Sequence, residues 1–165
     1  MTLTPAERSA FLDRYEAGPA LLRQAWDELP AAARQWRPGP GKWSAHEVVV
    51  HCADSEAYAH TRIRLVLAEP EPLIAGYDES VWARTFDYHA QDVELAFRTL
   101  AAVRAGTAAC LRLLPESAFG RVGRHTESGA YTDADWFRIY AGHLETHAAQ
   151  IRRNHAAWNS NGDRH

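Results

Sequence analysis

Strand-forming residues are scarce in this chain of 165 residues. It contains 8 Val and 4 Ile, against 30 Ala and 14 Leu. Ala and Leu favour the α-helix, whereas β-branched residues are the ones that strands prefer. The composition therefore predicts an all-α protein.

Long apolar runs and an excess of positive charge are missing as well. No stretch approaches the roughly 20 apolar residues that a membrane-spanning helix needs, so we expect no membrane association. The formal net charge is −3, which gives no electrostatic reason to expect nucleic acid as a partner. The first residues lack the basic and apolar regions of an export signal, and there are only two cysteines. We therefore expect a cytoplasmic protein without a disulfide framework.

Capping signals mark the start of the first helix. Thr4 and Glu7 have the spacing of a capping box, with a proline at the first helical position, and predict a helix over residues 5–29. Gly18 and Pro19 predict a kink or a restart inside this helix, because proline removes a backbone donor and crowds the preceding turn.

A second capping box at Ser44 and Glu47 begins the next helix. Prolines that follow position 69 end this helix at about Ala68. Residues 69–90 then form a long connection, with a short helix at about 80–85.

Two more helices follow in the second half of the chain. A third helix is predicted over residues 91–114, and Thr132 caps a fourth that runs to about Trp158. The glycine-containing segment 116–131 between them is interpreted as a loop or a short irregular hairpin.

Four long helices predict a four-helix bundle. The long connection between helices two and three allows the chain to cross the bundle, so these two helices need not be simple antiparallel neighbours. We predict one domain over residues 1–158, followed by a C-terminal tail over residues 159–165.

The fourth helix carries two histidines on the face that should be buried. At 3.6 residues per turn, one stripe of this helix contains Trp136, Tyr140, His143, His147, Ile151 and Trp158. His143 and His147 are one turn apart, so both imidazoles can reach one ion. The alternative is a pair of core histidines with ordinary hydrogen-bond partners, because spacing alone is weak evidence in a chain with nine His.

His51 adds a third imidazole from the inward stripe of the second helix. A single core histidine with a hydrogen-bond partner is the alternative here. Three neutral imidazoles with an open fourth position are the ligand set of a catalytic Zn²⁺ site, and imidazole also suits Ni²⁺, Fe²⁺ or Co²⁺. We therefore predict one divalent metal ion bound by His51, His143 and His147.

Six further residues are candidates for roles around this site. Three are carboxylates that can orient the ligand imidazoles: Glu47, Asp54 and Glu145. Three can contact a substrate: Tyr58 and Arg62, which can meet its carboxylate, and His125, which lies in a loop between glycines and can border the site. The alternative for His125 is an ordinary surface residue of that loop. The alternative for each carboxylate is a solvated position on a helix surface.

Three segments of the chain resemble the DinB/YfiT-like superfamily. The run GKWSAHEVVVHCADSE at residues 41–56 is similar to its WS-x-x-E-hydrophobic-x-x-H-x-x-D-x-E segment. The run GHLETHAAQI at residues 142–151 is similar to its H-x-x-x-H-x-x-Q-I segment, and residues 123–132 resemble a G-x-H-x-x-x-G-x-x-T stretch. The resemblance covers residues 10–155 in order and spacing.

The resemblance implies a bundle that is often dimeric, with one divalent metal held by a His triad. Carried over position by position, the ligands fall on His51, His143 and His147. Known activities of the superfamily include thiol S-transfer and a thiol-dependent isomerisation. We therefore expect a homodimer that is a metal-dependent thiol S-transferase or hydrolase, with a low-molecular-weight thiol as one possible substrate. A non-catalytic metal-binding, stress-response or interaction bundle is the alternative.

Overall fold

The computed structural model describes residues 2–162, and within that range it contains five α-helices and three short strands. The helices are α1 (Pro5–Asp27), α2 (Ala45–Ala68), α3 (Glu79–Thr85), α4 (Val93–Arg112) and α5 (Asp133–Gly162). The strands are β1 (Leu73–Ile74), β2 (Val122–His125) and β3 (Gly129–Thr132). No helix in residues 2–162 is both long enough and apolar enough to cross a membrane.

The four long helices form a bundle in which α1 and α2 each pack against α4 and α5. The helices α2 and α4 run parallel, because His46 contacts Gln91 just before α4, and His60 contacts Thr107 farther along α4. The connection over residues 69–92 therefore returns the chain along the length of the bundle. The predicted four-helix bundle with a long crossover between its second and third helices is confirmed.

The helices α1 and α5 form the other parallel pair. Phe11 lies beside Phe137 near their starts, and Arg152 pairs with Glu28 at the other end. Only the pair of α2 and α4 requires the chain to return along the bundle, whereas the segment between α4 and α5 reverses the chain at one end. The segments between α2 and α4 and between α4 and α5 carry the three strands.

The predicted helix caps are present, and the last helix is longer than predicted. The Thr4 and Ser44 boxes both form, and Thr132 exchanges hydrogen bonds with Asp135 at the start of α5. The helix α5 continues past Trp158 to Gly162 because no proline or glycine lies between these two residues. Of the predicted tail, residues 159–162 are therefore helical, and residues 163–165 lie outside the described range.

The restart predicted at Gly18 and Pro19 does not occur, and α1 remains one helix. Pro19 has no N–H to donate to the carbonyl of Tyr15, one turn earlier. The guanidinium of Arg104 takes over that role, with its Nη1 2.7 Å from the Tyr15 carbonyl oxygen. A side chain at Gly18 would overlap with this guanidinium, so the glycine makes room for it.

Arg104 belongs to a buried ionic group that connects all four long helices. Its Nε lies 2.9 Å from Glu56 Oε2 on α2, and its Nη2 donates to the carbonyl oxygen of Tyr140 on α5. The Tyr15 hydroxyl donates to the same Glu56 carboxylate. Both charges are fully buried, so each one depends on the other for its stabilisation.

The predicted loop or hairpin over residues 116–131 contains a regular hairpin. The strands β2 and β3 are antiparallel, with Val122 opposite Thr132 and His125 opposite Gly129. The strand β1, which the composition did not indicate, pairs parallel to β2. This small sheet places His125 and the residues after β1 beside the C-terminal half of α2.

Candidate metal centre

The structure brings the three predicted imidazoles together between α2 and α5. His51 lies in the second turn of α2, and His143 and His147 lie one turn apart in the middle of α5. The ring of His51 is 5.5 Å from that of His143 and 4.9 Å from that of His147, centroid to centroid. One ligand atom from each ring can be chosen so that all three lie within 4.8 Å of one another.

The indole of Trp43 covers one side of this cluster. Its ring centroid is 4.8 Å from that of His51, which is only 1% exposed. Asn154 on α5 donates to the carbonyl oxygen of Trp43 over 2.9 Å. The helix that carries two of the imidazoles therefore also holds the residue that shields the third from solvent.

Gln150 determines which nitrogen of His147 faces the cluster. Its Oε1 is 2.9 Å from His147 Nδ1, and an amide oxygen only accepts, so the proton is on Nδ1. The lone pair on His147 Nε2 then points towards His143 Nε2, 3.2 Å away. Two nitrogens bound tetrahedrally to one Zn²⁺ lie about 3.3 Å apart, given a Zn–N distance of about 2.0–2.1 Å. The observed separation fits a shared ion.

Two nitrogens of the cluster are buried and have no hydrogen-bond partner in the part of the chain that the structure describes. They are the Nδ1 atoms of His51 and His143. Buried polar side-chain atoms in proteins nearly always have a partner, so unpaired ones require an explanation. Neither ring is held through its Nδ1 by another side chain of the described residues, so each is free to turn towards a cation, His143 with its Nε2. The donor set therefore fits a divalent metal.

All three imidazoles are neutral at physiological pH. Burial lowers the pKa of His51 to about 3, and the neighbouring ring of His147 makes a smaller contribution in the same direction. Burial also holds the pKa of His143 well below its ordinary value and lowers the pKa of His147. Neutral rings offer lone pairs, which is the form that metal ligands need.

None of the three carboxylates predicted to orient these ligands has a hydrogen bond to them in residues 2–162. Glu47 instead caps α2 and pairs with Arg37. Asp54 accepts a hydrogen bond of 2.6 Å from the Tyr88 hydroxyl, and Glu145 forms a surface ion pair with Arg14. These partners come from distant parts of the sequence, which spacing along one helix does not reveal.

The three predicted substrate contacts lie together beyond the cluster, with Tyr58 and Arg62 two and three turns after His51 on the same face of α2. The Tyr58 hydroxyl and Arg62 Nη2 both donate to the carbonyl oxygen of Ala75, after β1. Arg62 Nη1 donates to the Tyr140 hydroxyl, and the Tyr140 ring is 5.9 Å from that of His143. His125 Nε2 lies 3.3 Å from Arg62 Nη2. One tyrosine ring thus separates this group from the imidazole cluster.

Sequence reasoning missed three residues that the structure places around the site. Gln150 had a signal, because a position three residues after His147 lies one turn along the same helix face. Tyr77 and Tyr131 had no such signal in the sequence. Tyr77 follows β1 and Tyr131 lies in β3, and only the pairing of the strands brings both residues close to Arg62.

These observations define the class of protein: a four-helix bundle with a crossover connection and a three-histidine cluster between α2 and α5. The sequence profile of the DinB superfamily matches residues 14–151, and the chain belongs to this family. The resemblance seen in the sequence is thereby confirmed.

Similar proteins carry names that refer to metal-dependent hydrolysis. A protein of Oceanobacillus iheyensis named as a candidate metal-dependent hydrolase is 30% identical over 141 residues, covering 86% of this chain and 81% of that one. A protein of Bacillus licheniformis with the same kind of name is 29% identical over 156 residues, 93% of this chain and 89% of its own.

Two solved structures share the fold. That of YfiT from Bacillus subtilis, described as a candidate metal-dependent hydrolase with an unusual four-helix-bundle topology, superposes with a TM-score of 0.85 at 26% identity. It covers 93% of this chain and 88% of that one. A mycothiol-dependent maleylpyruvate isomerase superposes with a TM-score of 0.69 at 10% identity, over 87% of this chain and 60% of that one. The second similarity concerns the fold alone.

Proposed function

We propose that this protein binds one divalent metal ion through His51, His143 and His147 and is a metal-dependent hydrolase. The proposal depends on one observation, the convergence of three neutral imidazoles, one buried and two partly buried, with ligand atoms within 4.8 Å of one another. Such a set leaves a fourth coordination position for water or substrate and suits Zn²⁺, Ni²⁺ or Fe²⁺.

The residues of the chain have separable tasks in this reaction. A divalent ion, when bound, supplies Lewis acidity, which polarises a carbonyl group and lowers the pKa of water. The three imidazoles are neutral and leave the full charge of the ion in place. Gln150 holds the ring of His147 in the tautomer that binds, and Trp43 excludes water from one side of His51.

The names of the relatives favour hydrolysis over the other reactions expected from the sequence. Both bacterial relatives and YfiT are named for metal-dependent hydrolysis. The isomerase shares the fold at 10% identity, which carries no argument for thiol chemistry here. Thiol S-transfer and a non-catalytic metal-binding role are therefore alternative outcomes of the test.

The test begins with elemental analysis of protein purified without a histidine tag. We expect near one equivalent of a divalent metal in the wild type and in His155→Ala, a matched control on the same helix, and loss of metal in His51→Ala. Metal-loaded and chelator-treated protein are then incubated with panels of esters and amides and with a thiol plus an electrophile. Chelator-sensitive hydrolysis supports the proposal. Chelator-sensitive thiol conjugation alone, or no turnover with any metal, contradicts it.

A further inference from the structure

Arg62 carries a partly buried charge that no carboxylate among residues 2–162 contacts directly. Among residues 2–162, none of the ion pairs within 4.0 Å includes its guanidinium. Its partners are neutral oxygens, the Tyr140 hydroxyl at 2.9 Å and the Ala75 carbonyl at 2.8 Å. Its Nε is buried and has no acceptor among the described residues. The guanidinium therefore retains both its charge and unused N–H groups.

His125 directs another donor at this guanidinium. Its Nδ1 accepts from the backbone N–H of Glu127 over 3.2 Å, so the proton of the neutral ring is on Nε2. That Nε2 lies 3.3 Å from Arg62 Nη2, which has only hydrogens to offer. Two N–H groups facing each other do not satisfy one another, whereas one acceptor between them would satisfy both.

Two buried tyrosine hydroxyls adjoin the same place. The ring centroid of Tyr77 is 5.9 Å from Arg62 Cζ, and that of Tyr131 is 5.7 Å from the ring of His125. Neither hydroxyl has an acceptor for its proton within residues 2–162, although Ser55 acts on the oxygen of Tyr77 and lowers its pKa against the larger effect of burial. In the described part of the chain, seven buried side-chain polar atoms lack a partner, and five of them belong to Arg62, Tyr77, Tyr131, His51 and His143.

From this excess of donors we propose that Arg62, His125, Tyr77 and Tyr131 form a binding site for the carboxylate of the substrate. A carboxylate is acceptor-only, carries the opposite charge to Arg62 and has two oxygens to share among several donors. Only the side chain of Tyr140 separates this site from His143. Its hydroxyl accepts from Arg62, and its ring centroid is 5.9 Å from that of His143, so a small substrate can span the distance between the two sites. The substrate class is thus a small ester or amide that bears a carboxylate.

The charge of Arg62 influences the pKa of the Glu79 carboxyl, but Glu79 does not occupy this site. Burial raises the pKa of Glu79, and the charge of Arg62 partly offsets that increase. The two groups nevertheless have no contact within 4.0 Å among the ion pairs of residues 2–162. The donors around Arg62 therefore remain available to an external carboxylate.

The inference rests on the proposed function for the reaction, but carboxylate binding can be tested without turnover. Benzoate and its neutral analogue benzamide are titrated by calorimetry into metal-loaded and chelator-treated protein. We expect benzoate to bind both forms and benzamide to bind neither. The affinity for benzoate should fall at least tenfold in Arg62→Gln and about threefold in Tyr131→Phe, and should be unchanged in Arg124→Gln, which removes an exposed charge from the same strand as His125.

The two readouts separate failure of this inference from failure of the proposed function. Benzoate binding that disappears with the chelator but persists in Arg62→Gln would place the carboxylate on the metal and overturn the inference. Equal binding of benzamide would overturn it as well. Benzoate binding by a protein that takes up no divalent metal in the elemental analysis, even after metal loading, would support the carboxylate site and contradict the proposed function. Tyr131→Phe removes only an unpartnered hydroxyl, so it tests the site even if Arg62→Gln lowers stability.

Discussion

At the scale of single residues, Gln150 is the side chain on which the binding form of His147 depends. Its amide oxygen keeps the proton on Nδ1 and thereby directs the Nε2 lone pair to the cluster. We predict that Gln150→Leu weakens metal affinity by about 10- to 100-fold, the usual effect of removing a group that orients a metal ligand. Competition with a metal-binding dye measures the change.

Thr146→Ala is the matched control for this variant. Thr146 lies on the exposed face of the same helix and donates to the carbonyl oxygen of Gly142. Its replacement should leave metal affinity unchanged. Equal affinities for wild type and Gln150→Leu would show that His147 needs no orienting partner.

The histidines could be predicted from the sequence, whereas the partners of the carboxylates could not. Helical periodicity determines which face a residue occupies, and this placed His143 and His147 on the inward stripe of α5. The same rule says nothing about which distant residue meets a surface group. Asp54 therefore lies with Tyr88 and Glu145 with Arg14, rather than with an imidazole.

At the scale of helices, the contact between Gly18 and Arg104 determines how closely α1 approaches α4. A methyl group at Gly18 would overlap with the guanidinium and displace it from the Tyr15 carbonyl. We predict that Gly18→Ala lowers the free energy of unfolding by about 1–3 kcal/mol, as overpacking of a buried contact does. Urea denaturation measures the difference.

Gly106→Ala, also in a helix, is expected to change the free energy of unfolding in the opposite direction. Nothing lies within 4 Å of a Cβ added at Gly106 on α4, so only helix propensity acts there. We expect it to raise the free energy of unfolding by up to about 1 kcal/mol. Stabilisation by both substitutions would refute the close approach at Gly18.

The ion pair between Arg14 and Glu145 joins α1 to α5 at the surface. The hydrogen bond from Arg14 lowers the pKa of Glu145 below its ordinary value of 4.5. A lowered folded-state pKa stabilises the folded protein above pH 4.5, and this contribution is lost as the pH falls through the folded-state value. We predict that Glu145→Gln costs less than about 1 kcal/mol at pH 7 and progressively less in acid.

Thermal unfolding at several pH values checks this prediction, with metal content measured in parallel. Metal content should not change in Glu145→Gln, because the carboxylate faces Arg14 and not the cluster. Loss of metal in this variant would mean that Glu145 orients a ligand imidazole, as the sequence suggested.

Local signals predicted the helices better than the links between them. Caps at Thr4, Ser44 and Thr132 depend on residues a few positions apart, and all three form. The continuous α1 depends on Arg104, and β1 depends on pairing with β2; both partners are remote in sequence. Such partners leave no local pattern.

At the scale of the whole molecule, the metal should stabilise the fold, because its ligands come from two antiparallel helices. An ion that binds only the folded state adds about 2.7 kcal/mol when its free concentration is 100 times Kd. We predict that chelation lowers the melting temperature of the wild type and has no effect on His51→Ala. A melting temperature of the wild type that chelation does not change would mean that no ion connects α2 and α5. The homodimer and the thiol substrate expected from the family resemblance remain predictions.

The most direct measurement of the central claim is anomalous diffraction at metal absorption edges, from crystals of untagged protein grown without added metal. We predict one peak inside the bundle, at about 2.0–2.1 Å from one nitrogen each of His51, His143 and His147 if the ion is Zn²⁺. A peak at any other position, or one that only two of these rings reach, would contradict the account, as would the absence of any peak.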